Sequence, residues 1–372
     1  MSQRDPTKVT PMTMDVDYEA FKNDKRSREP TRCQSAARKI AIRKWLDQSI
    51  ADNSIKPSSA EAWSQLMLTK KPNGSWRFAI DYRALNKHTK PCRSQIPNIN
   101  KLLATIGRQK PKFFAKMDLT SGFYQTPMDP SATKYTAFAT DFGTYEFLRA
   151  SMGLLNSPWY FQSVLEREVF QNLIHKIMEL YIDDILTWAS TIEELIANLT
   201  KIFAALEAAG MTLHPDKCEF GMTEVEFVGH LIDDTGMTFS SDKLKQVAEM
   251  PLPVTEGELK QFLGMAGYFR KHIPDYVDKT ERLNAILEGY VKKNSKTPIQ
   301  WTDEEKLIYE ECQQAVKDCR KLFYVVDNAP IRIYTDASEY GIGAYLCQVM
   351  EDGSEIPIDF ISRTLTKAER KW

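Results

Sequence analysis

At 372 residues, with 42% hydrophobic and 27% charged residues, the chain has the length for two or three cored domains and the composition of an ordinary globular protein rather than a disordered or fibrous one. A formal net charge of −1 excludes a uniformly basic nucleic-acid binder and leaves any such role to local basic patches. The six cysteines (Cys33, Cys92, Cys218, Cys312, Cys319, Cys347) form no CxxC pair, the N-terminus is too polar for a signal peptide, and no apolar run approaches the roughly 20 residues of a membrane span. A disulfide scaffold, a zinc framework and a membrane protein are set aside, and a reducing intracellular setting is expected.

Residues 1–30 are polar and charged and read as a disordered segment. Helical patterning begins in Arg32–Gln48, where Ile40, Ala41, Trp45 and Leu46 are apolar and Arg38, Lys39, Arg43 and Lys44 are basic; the basic side reads as a solvated face or as an attractor of phosphate. Gln65–Leu68 and Trp76–Ile80 read as a hairpin turned at Asn73-Gly74, with Lys70, Lys71, Arg77 and Arg83 on or beside it. The planar fork of Arg and the mobile charge of Lys both suit phosphate oxygens. Lys112–Leu119 is an apolar strand carrying Asp118, followed by Gly122-Phe123-Tyr124-Gln125. Tyr135–Thr140 and Thr144–Leu148 form a second hairpin, and Ser157-Pro158 opens a helix that should run to about Asn172.

Ile177–Ile182 and Ile185–Ala189 are strands, with Asp183-Asp184 as the tight turn between them. Thr191–Ala209 is a helix with a Thr191/Glu194 capping box and a closing Gly210; its stripe of Ile192, Leu195, Ile196, Leu199, Ile202, Phe203 and Leu206 is expected to be core. Two helical patterns fill residues 241–289, broken at Pro251-Leu252-Pro253. Lys292–Lys296 reads as a basic linker, Thr302–Val316 as another helix and Ile331–Asp336 as a strand.

Two adjacent carboxylates between buried strands repel and raise each other's pKa unless a cation lies between them. An isolated Asp-Asp turn is usually only solvated. Asp118, however, lies on a second apolar strand. Three carboxylates on neighbouring strands can hold two Mg²⁺, a hard ion that takes oxygen ligands; in polymerases such a pair activates the attacking 3′-hydroxyl and neutralises the leaving pyrophosphate.

Tyr181–Ser190 (YIDDILTWAS) resembles the YxDD box of reverse transcriptases, specifically those of Ty3/gypsy long-terminal-repeat retrotransposons. The family's other blocks follow in its order: KKPNGSWRFAIDYRALNK from Lys70, FFAKMDLTSGFYQ from Phe113, KCEFGMTEVEFVGH from Lys217 and QFLGMAGYFRKHIP from Gln261. One YxDD is a weak signal; five ordered blocks are specific. The similarity runs from about Ile55 to the end of the chain.

The resemblance implies an α+β fold: a right-hand polymerase of fingers, palm and thumb, followed by a connection and the first strands of an RNase H-like α/β domain. After the disordered residues 1–30, the implied boundaries are fingers 31–95 with their remainder at 119–150, palm 96–240, thumb 241–290, connection 291–330 and a truncated RNase H-like domain 331–372. It implies an RNA-directed DNA polymerase whose catalytic Asp118, Asp183 and Asp184 hold two Mg²⁺, with Mn²⁺ as a substitute. Lys70, Lys71 and Arg77 would bind the triphosphate, Phe123 would exclude ribonucleotides as a steric gate, and Met152 would touch nucleotide and template. Val228 and Gly229 would form the primer grip, and Asp336 would be a vestigial RNase H carboxylate. RNase H activity is not expected, because the chain stops at Trp372 before further acidic residues.

The implied partners are a primed RNA or DNA template and deoxynucleoside triphosphates, with no membrane and with a second copy of the chain as a candidate. The implied setting is the cytoplasm, a virus-like particle or the nucleus. Two departures stand out: Ala150-Ser151-Met152-Gly153-Leu154 replaces the family's usual Met-Pro-Phe-Gly-Leu, and Trp159-Tyr160 replace smaller residues. They motivate the alternative of a decayed or repurposed protein that binds nucleic acid without polymerising.

Overall fold

The computed structural model describes residues 5–71, 74–92, 96–288, 297–366 and 368–371. The chain divides into two compact units, residues 1–102 with 114–222 and residues 103–113 with 223–372. No helix among the described residues is long and apolar enough to cross a membrane.

The first unit begins with α1 (Tyr18–Lys22), α2 (Ala36–Ala51), β1 (Ile55–Pro57), β2 (Ser64–Lys70), β3 (Trp76–Asp81) and α3 (Arg83–Lys87); α4 (Ile99–Arg108) carries the chain into the second unit. It resumes with β4 (Phe113–Asp118), β5 (Phe138–Thr140), β6 (Gly143–Phe147), α5 (Ser157–Val164), β7 (Met178–Tyr181), β8 (Asp184–Ala189), α6 (Ile192–Ala209) and β9 (Glu219–Met222). One sheet has the order β1-β6-β5-β2-β3 and the other β7-β8-β4-β9. In the β2–β3 hairpin Lys70 pairs with Trp76 and Thr69 with Arg77. Pro72 and Asn73, half of the expected Asn73-Gly74 turn, lie outside the described residues.

Three expectations are corrected here. Residues 5–30 are not disordered. The Thr7 and Lys8 amides donate to the carbonyls of Gln125 and Ala209, both at 2.9 Å, Met12 bridges to Met128, and Met12 and Phe21 are fully buried. A few apolar residues are enough when distant main chain satisfies the segment's amides. Tyr160, one of the two bulky departures, donates its hydroxyl to the Thr10 carbonyl at 2.6 Å and so ties this segment to α5. Residues 1–4 lie outside the described residues.

Secondly, the helix expected to reach Asn172 leaves α-helical geometry at Val164 and continues as a π-helical turn over Leu165–Val169. Thirdly, the stripe of α6 is only partly core. Leu195, Ile202 and Leu206 are buried, but Ile192, Ile196 and Phe203 are exposed, because the helix rests one narrow side on β8. Its ends lie where they were read, but only half of the expected capping box forms: the Thr191 hydroxyl accepts the Glu194 amide, while the Glu194 carboxylate accepts the Ser190 amide at 2.8 Å in place of that of Thr191; Gly210 is left-handed at φ 69°.

The second unit holds β10 (Glu224–Phe227), β11 (His230–Asp233), β12 (Gly236–Thr238), α7 (Ser241–Ala248), α8 (Glu256–Ala266), α9 (Tyr276–Glu288), α10 (Asp303–Lys317) and β13 (Leu322–Phe323). β10 to β13 form an antiparallel sheet, so the hairpin expected in a palm reaching residue 240 groups with this unit. Leu259, Phe262, Phe269, Leu283, Tyr309 and Val316 form the helical core. β14 (Ile331–Ala337), β15 (Gly341–Val349) and β16 (Glu355–Thr364) make a separate antiparallel sheet. The expected linker Lys292–Lys296 lies outside the described residues.

Candidate active site

β4 and β8 are neighbours in the four-stranded sheet; Asp118 is the last residue of β4 and Asp184 the first of β8. Tyr181 pairs with Asp184, so the turn is Ile182-Asp183, one residue earlier than expected, and Asp184 is a strand residue. Ile182 has φ 58°, a left-handed conformation that is costly for a β-branched residue. Buried Gln162 of α5 holds it there. Its Oε1 accepts the Ile182 amide at 2.6 Å, while its Nε2 donates to the Leu180 carbonyl at 3.1 Å and to Glu166 Oε1 at 2.7 Å. Gln162 was not singled out from the sequence; the available signal was a glutamine among apolar and aromatic residues of the helix opened by Ser157-Pro158.

Gly122 follows the left-handed Ser121 and comes close to the turn. A Cβ there would meet Phe161 Cζ at 2.9 Å and Asp183 Cβ at 3.5 Å. A second buried glutamine, Gln125, donates to the carbonyls of Thr120 and Thr212 at 2.7 and 2.9 Å, joining the segment after Asp118 to the one that leads to Lys217.

Partial burial raises both Asp183 and Asp184 above the usual carboxylate range, with repulsion from Asp118 adding to each and Lys217 opposing it. Lys116 also counters the rise at Asp184. Lys217 Nζ reaches both oxygens of Asp118, at 3.1 and 3.2 Å, and was also missed from sequence. Among the described residues no three acidic, histidine or cysteine side chains converge as a ready metal cage. The donor set nevertheless suits a hard divalent ion: the oxygens are carboxylate, Asp183 and Asp184 stay raised despite the nearby lysines, and a largely exposed ammonium stands on Asp118.

Lys71, Arg77 and Met152 come together on one cavity of about 580 Å³, whose wall includes Thr120 and Ser121 just beyond Asp118. Lys70 does not line it; its ammonium sits 5.5 Å from the Trp76 ring centre. Phe123 is buried, its ring 4.9 Å from that of Phe161, so it packs the core whatever else it does. In the second unit, Val228 and Gly229 form the two-residue turn between β10 and β11, and Asp336 lies exposed on β14 opposite Gly343.

Residues 69–232 match the family described as reverse transcriptase (RNA-dependent DNA polymerase), and residues 301–372 match the RNase H-like domain found in reverse transcriptase. The Pol polyprotein of the Drosophila melanogaster transposon opus is 33% identical over 341 residues, covering 89% of this chain and 34% of the polyprotein. That of transposon gypsy is 30% identical, covering 88% of this chain and 32% of its own length. The chain thus spans about a third of the length of these relatives. Among solved structures, the foamy viral protease-reverse transcriptase in complex with dsDNA superposes with a TM-score of 0.83 at 24% identity, over 99% of this chain and 74% of that one. The same protein in complex with RNA/DNA hybrid gives 0.80 at 23% identity, over 98% of this chain and 47% of that one. These likenesses bear on the fold, the α+β architecture of a polymerase followed by the beginning of an RNase H-like domain. The chain thus carries a reverse transcriptase domain over residues 69–232 and an RNase H-like domain over residues 301–372, and it is similar to the Pol polyproteins of gypsy-type retrotransposons.

Proposed function

We propose that the chain is an RNA-directed DNA polymerase that extends a primer 3′ end on an RNA or DNA template. The observation that carries this reading is the placement of Asp118, Asp183 and Asp184 at one end of a single sheet, with a cavity bearing Lys71, Arg77 and Met152 bordered by the residues after Asp118. The primer's 3′-oxygen forms a bond to the α-phosphorus of a deoxynucleoside triphosphate, the bond between that α-phosphorus and the oxygen bridging to the β-phosphorus breaks, pyrophosphate leaves with the bridging oxygen and the hydroxyl proton passes to solvent. Asp118, Asp183 and Asp184 would hold Mg²⁺, or Mn²⁺ in its place, which when bound supplies charge neutralisation and hydroxyl activation.

The chain's own residues do the rest. Lys71 and Arg77 take the triphosphate, with Lys70 as a support of the hairpin through Trp76. Met152 bounds the nucleotide, the Phe123 ring crowds the sugar 2′-position, and the Val228-Gly229 turn carries the primer. Gln162 keeps the Asp183 backbone in place. The work would lie inside the cell, in cytoplasm, particle or nucleus, a reading supported by the similarity to retrotransposon polyproteins. Nothing in the site favours duplex binding without polymerisation, since all three aspartates and the basic hairpin residues are present.

The test is extension of a DNA primer on an RNA template in Mg²⁺. Asp183→Asn should lose at least about a hundredfold in rate, the scale on which removing one preorganised electrostatic group acts. Full extension by Asp183→Asn would overturn the proposal.

A further inference from the structure

The turn between β10 and β11 is left-handed at both of its residues. Val228 has φ 47° and Gly229 φ 78°, and Phe227 pairs with His230 across them. A left-handed glycine is at ease, but a left-handed valine costs about 1–3 kcal/mol and persists only where its surroundings impose it. The surroundings here are two side chains from other elements of the same unit. Lys243, in the first turn of α7, donates from Nζ to the Gly229 carbonyl at 2.9 Å. Tyr268, beyond the end of α8, donates its hydroxyl to the Val228 carbonyl at 3.3 Å. The Lys243 ammonium lies 4.6 Å from the Tyr268 ring centre and 5.8 Å from that of Phe239, and Glu226 supplies the nearby negative charge. The His230 ring packs against Phe239 and Tyr268, at 4.9 and 5.8 Å. The backbone angle at 229 calls for glycine, and a side chain there would displace the Lys243 ammonium from its place and come within 3.1 Å of the Tyr268 hydroxyl.

A half-buried lysine spent on a main-chain carbonyl is unusual, since its ammonium is well hydrated elsewhere and gains little fold stability from one neutral acceptor. We infer that Lys243 is a positioning residue for the primer 3′ end: by holding the Gly229 carbonyl against α7 and its aromatic neighbours, it sets the shape of the turn on which the terminal nucleotide rests. This rests on the polymerase reading and on the primer-grip role of Val228 and Gly229. A displaced turn leaves duplex and nucleotide bound but misaims the 3′-oxygen. Loss of Lys243 therefore lowers the rate of bond formation more than it changes either affinity.

The experiment is single-turnover extension of a DNA primer on an RNA template, with rates normalised to titrated active sites. Lys243→Met should extend about tenfold more slowly. Its KM for the nucleotide and Kd for primer–template should stay within about twofold of wild type. Lys243→Arg, which keeps a charged donor, should recover most of the rate. A merely structural lysine would lower the thermal midpoint and the number of active sites while leaving the rate per site unchanged; that result overturns the inference. A saturating rate equal to wild type with weakened primer–template binding overturns it too, by making Lys243 a binding contact. Should Lys243→Met not fold, Lys243→Gln goes through the same comparison, and a wild-type rate per site in it is equally fatal. A wild-type enzyme that does not extend overturns the polymerase reading itself, which separates the two failures.

Discussion

Gln162 lies 20 residues from Ile182 in the chain, yet its carboxamide decides how the residue before Asp183 is held. The left-handed backbone at Ile182 would relax if the amide lost its partner, and Asp183 would move with it. Gln162→Leu leaves that buried amide and the Leu180 carbonyl without their side-chain partner. It should destabilise the protein by about 1–3 kcal/mol. It should also slow primer extension roughly tenfold. Thermal unfolding and single-turnover extension check the two effects separately; wild-type extension by folded Gln162→Leu would remove its positioning role. Lys217 meets Asp118 from 99 residues away. Its side chain is 58% exposed, so the pair contributes no more than about 1 kcal/mol and yields readily to a divalent ion. Neither contact was legible in the sequence, because a lone Gln or Lys has no signature until the fold supplies its partner.

Among the elements, α6 separates what periodicity can and cannot say. Its start at Thr191, its end at Gly210 and its apolar stripe were all readable, since each depends on residues no more than four apart. Which part of a seven-residue stripe meets the sheet was not readable. Ile202 is fully buried and Ile196 is 58% exposed. Ile202→Ala should therefore cost about 2–5 kcal/mol. Ile196→Gln should stay within about 0.5 kcal/mol of wild type. Urea unfolding of the two variants tests this, and comparable losses would mean that the outer row is covered in solution. The β7–β8 hairpin makes the same point over a shorter distance: both strands were recognised, but the turn slid by one residue, which puts Asp184 into the ladder and leaves Asp183 alone in the loop.

At the scale of the molecule, the second unit carries an acid sensitivity that its composition did not announce. Burial pushes His230 down to about 4, and burial likewise lowers His272, whose ring lies 6.4 Å away. The unfolded chain takes up these protons near the ordinary histidine value of 6.5, before the folded state does. Stability is therefore fully present above pH 6.5 and is lost as pH falls toward 4. His230 alone should account for about 2 kcal/mol by pH 5 and about 3 kcal/mol below pH 4. The urea midpoint of the wild type should fall between pH 7.5 and pH 5 by more than that of His230→Phe; equal falls would show that His230 is not the titrating group.

The sequence by itself determined the resemblance to reverse transcriptases, the strands on either side of the aspartate turn, the Thr191 and Gly210 ends of α6 and the choice of three candidate aspartates. All of these are written in short ordered blocks and local patterns whose physics spans a few residues. Lys71, Arg77 and Met152, each read from the resemblance as touching the nucleotide, line one cavity. Only the tertiary structure decided that residues 5–30 are packed, that Lys70 turns to Trp76, that Phe123 is buried against Phe161, and that Gln162, Lys217 and Lys243 hold the working parts. Most of those outcomes depend on side chains meeting partners far along the chain, 20 residues away for Gln162, 99 for Lys217 and 118 for Thr7, and such meetings exist only once burial has brought the segments together.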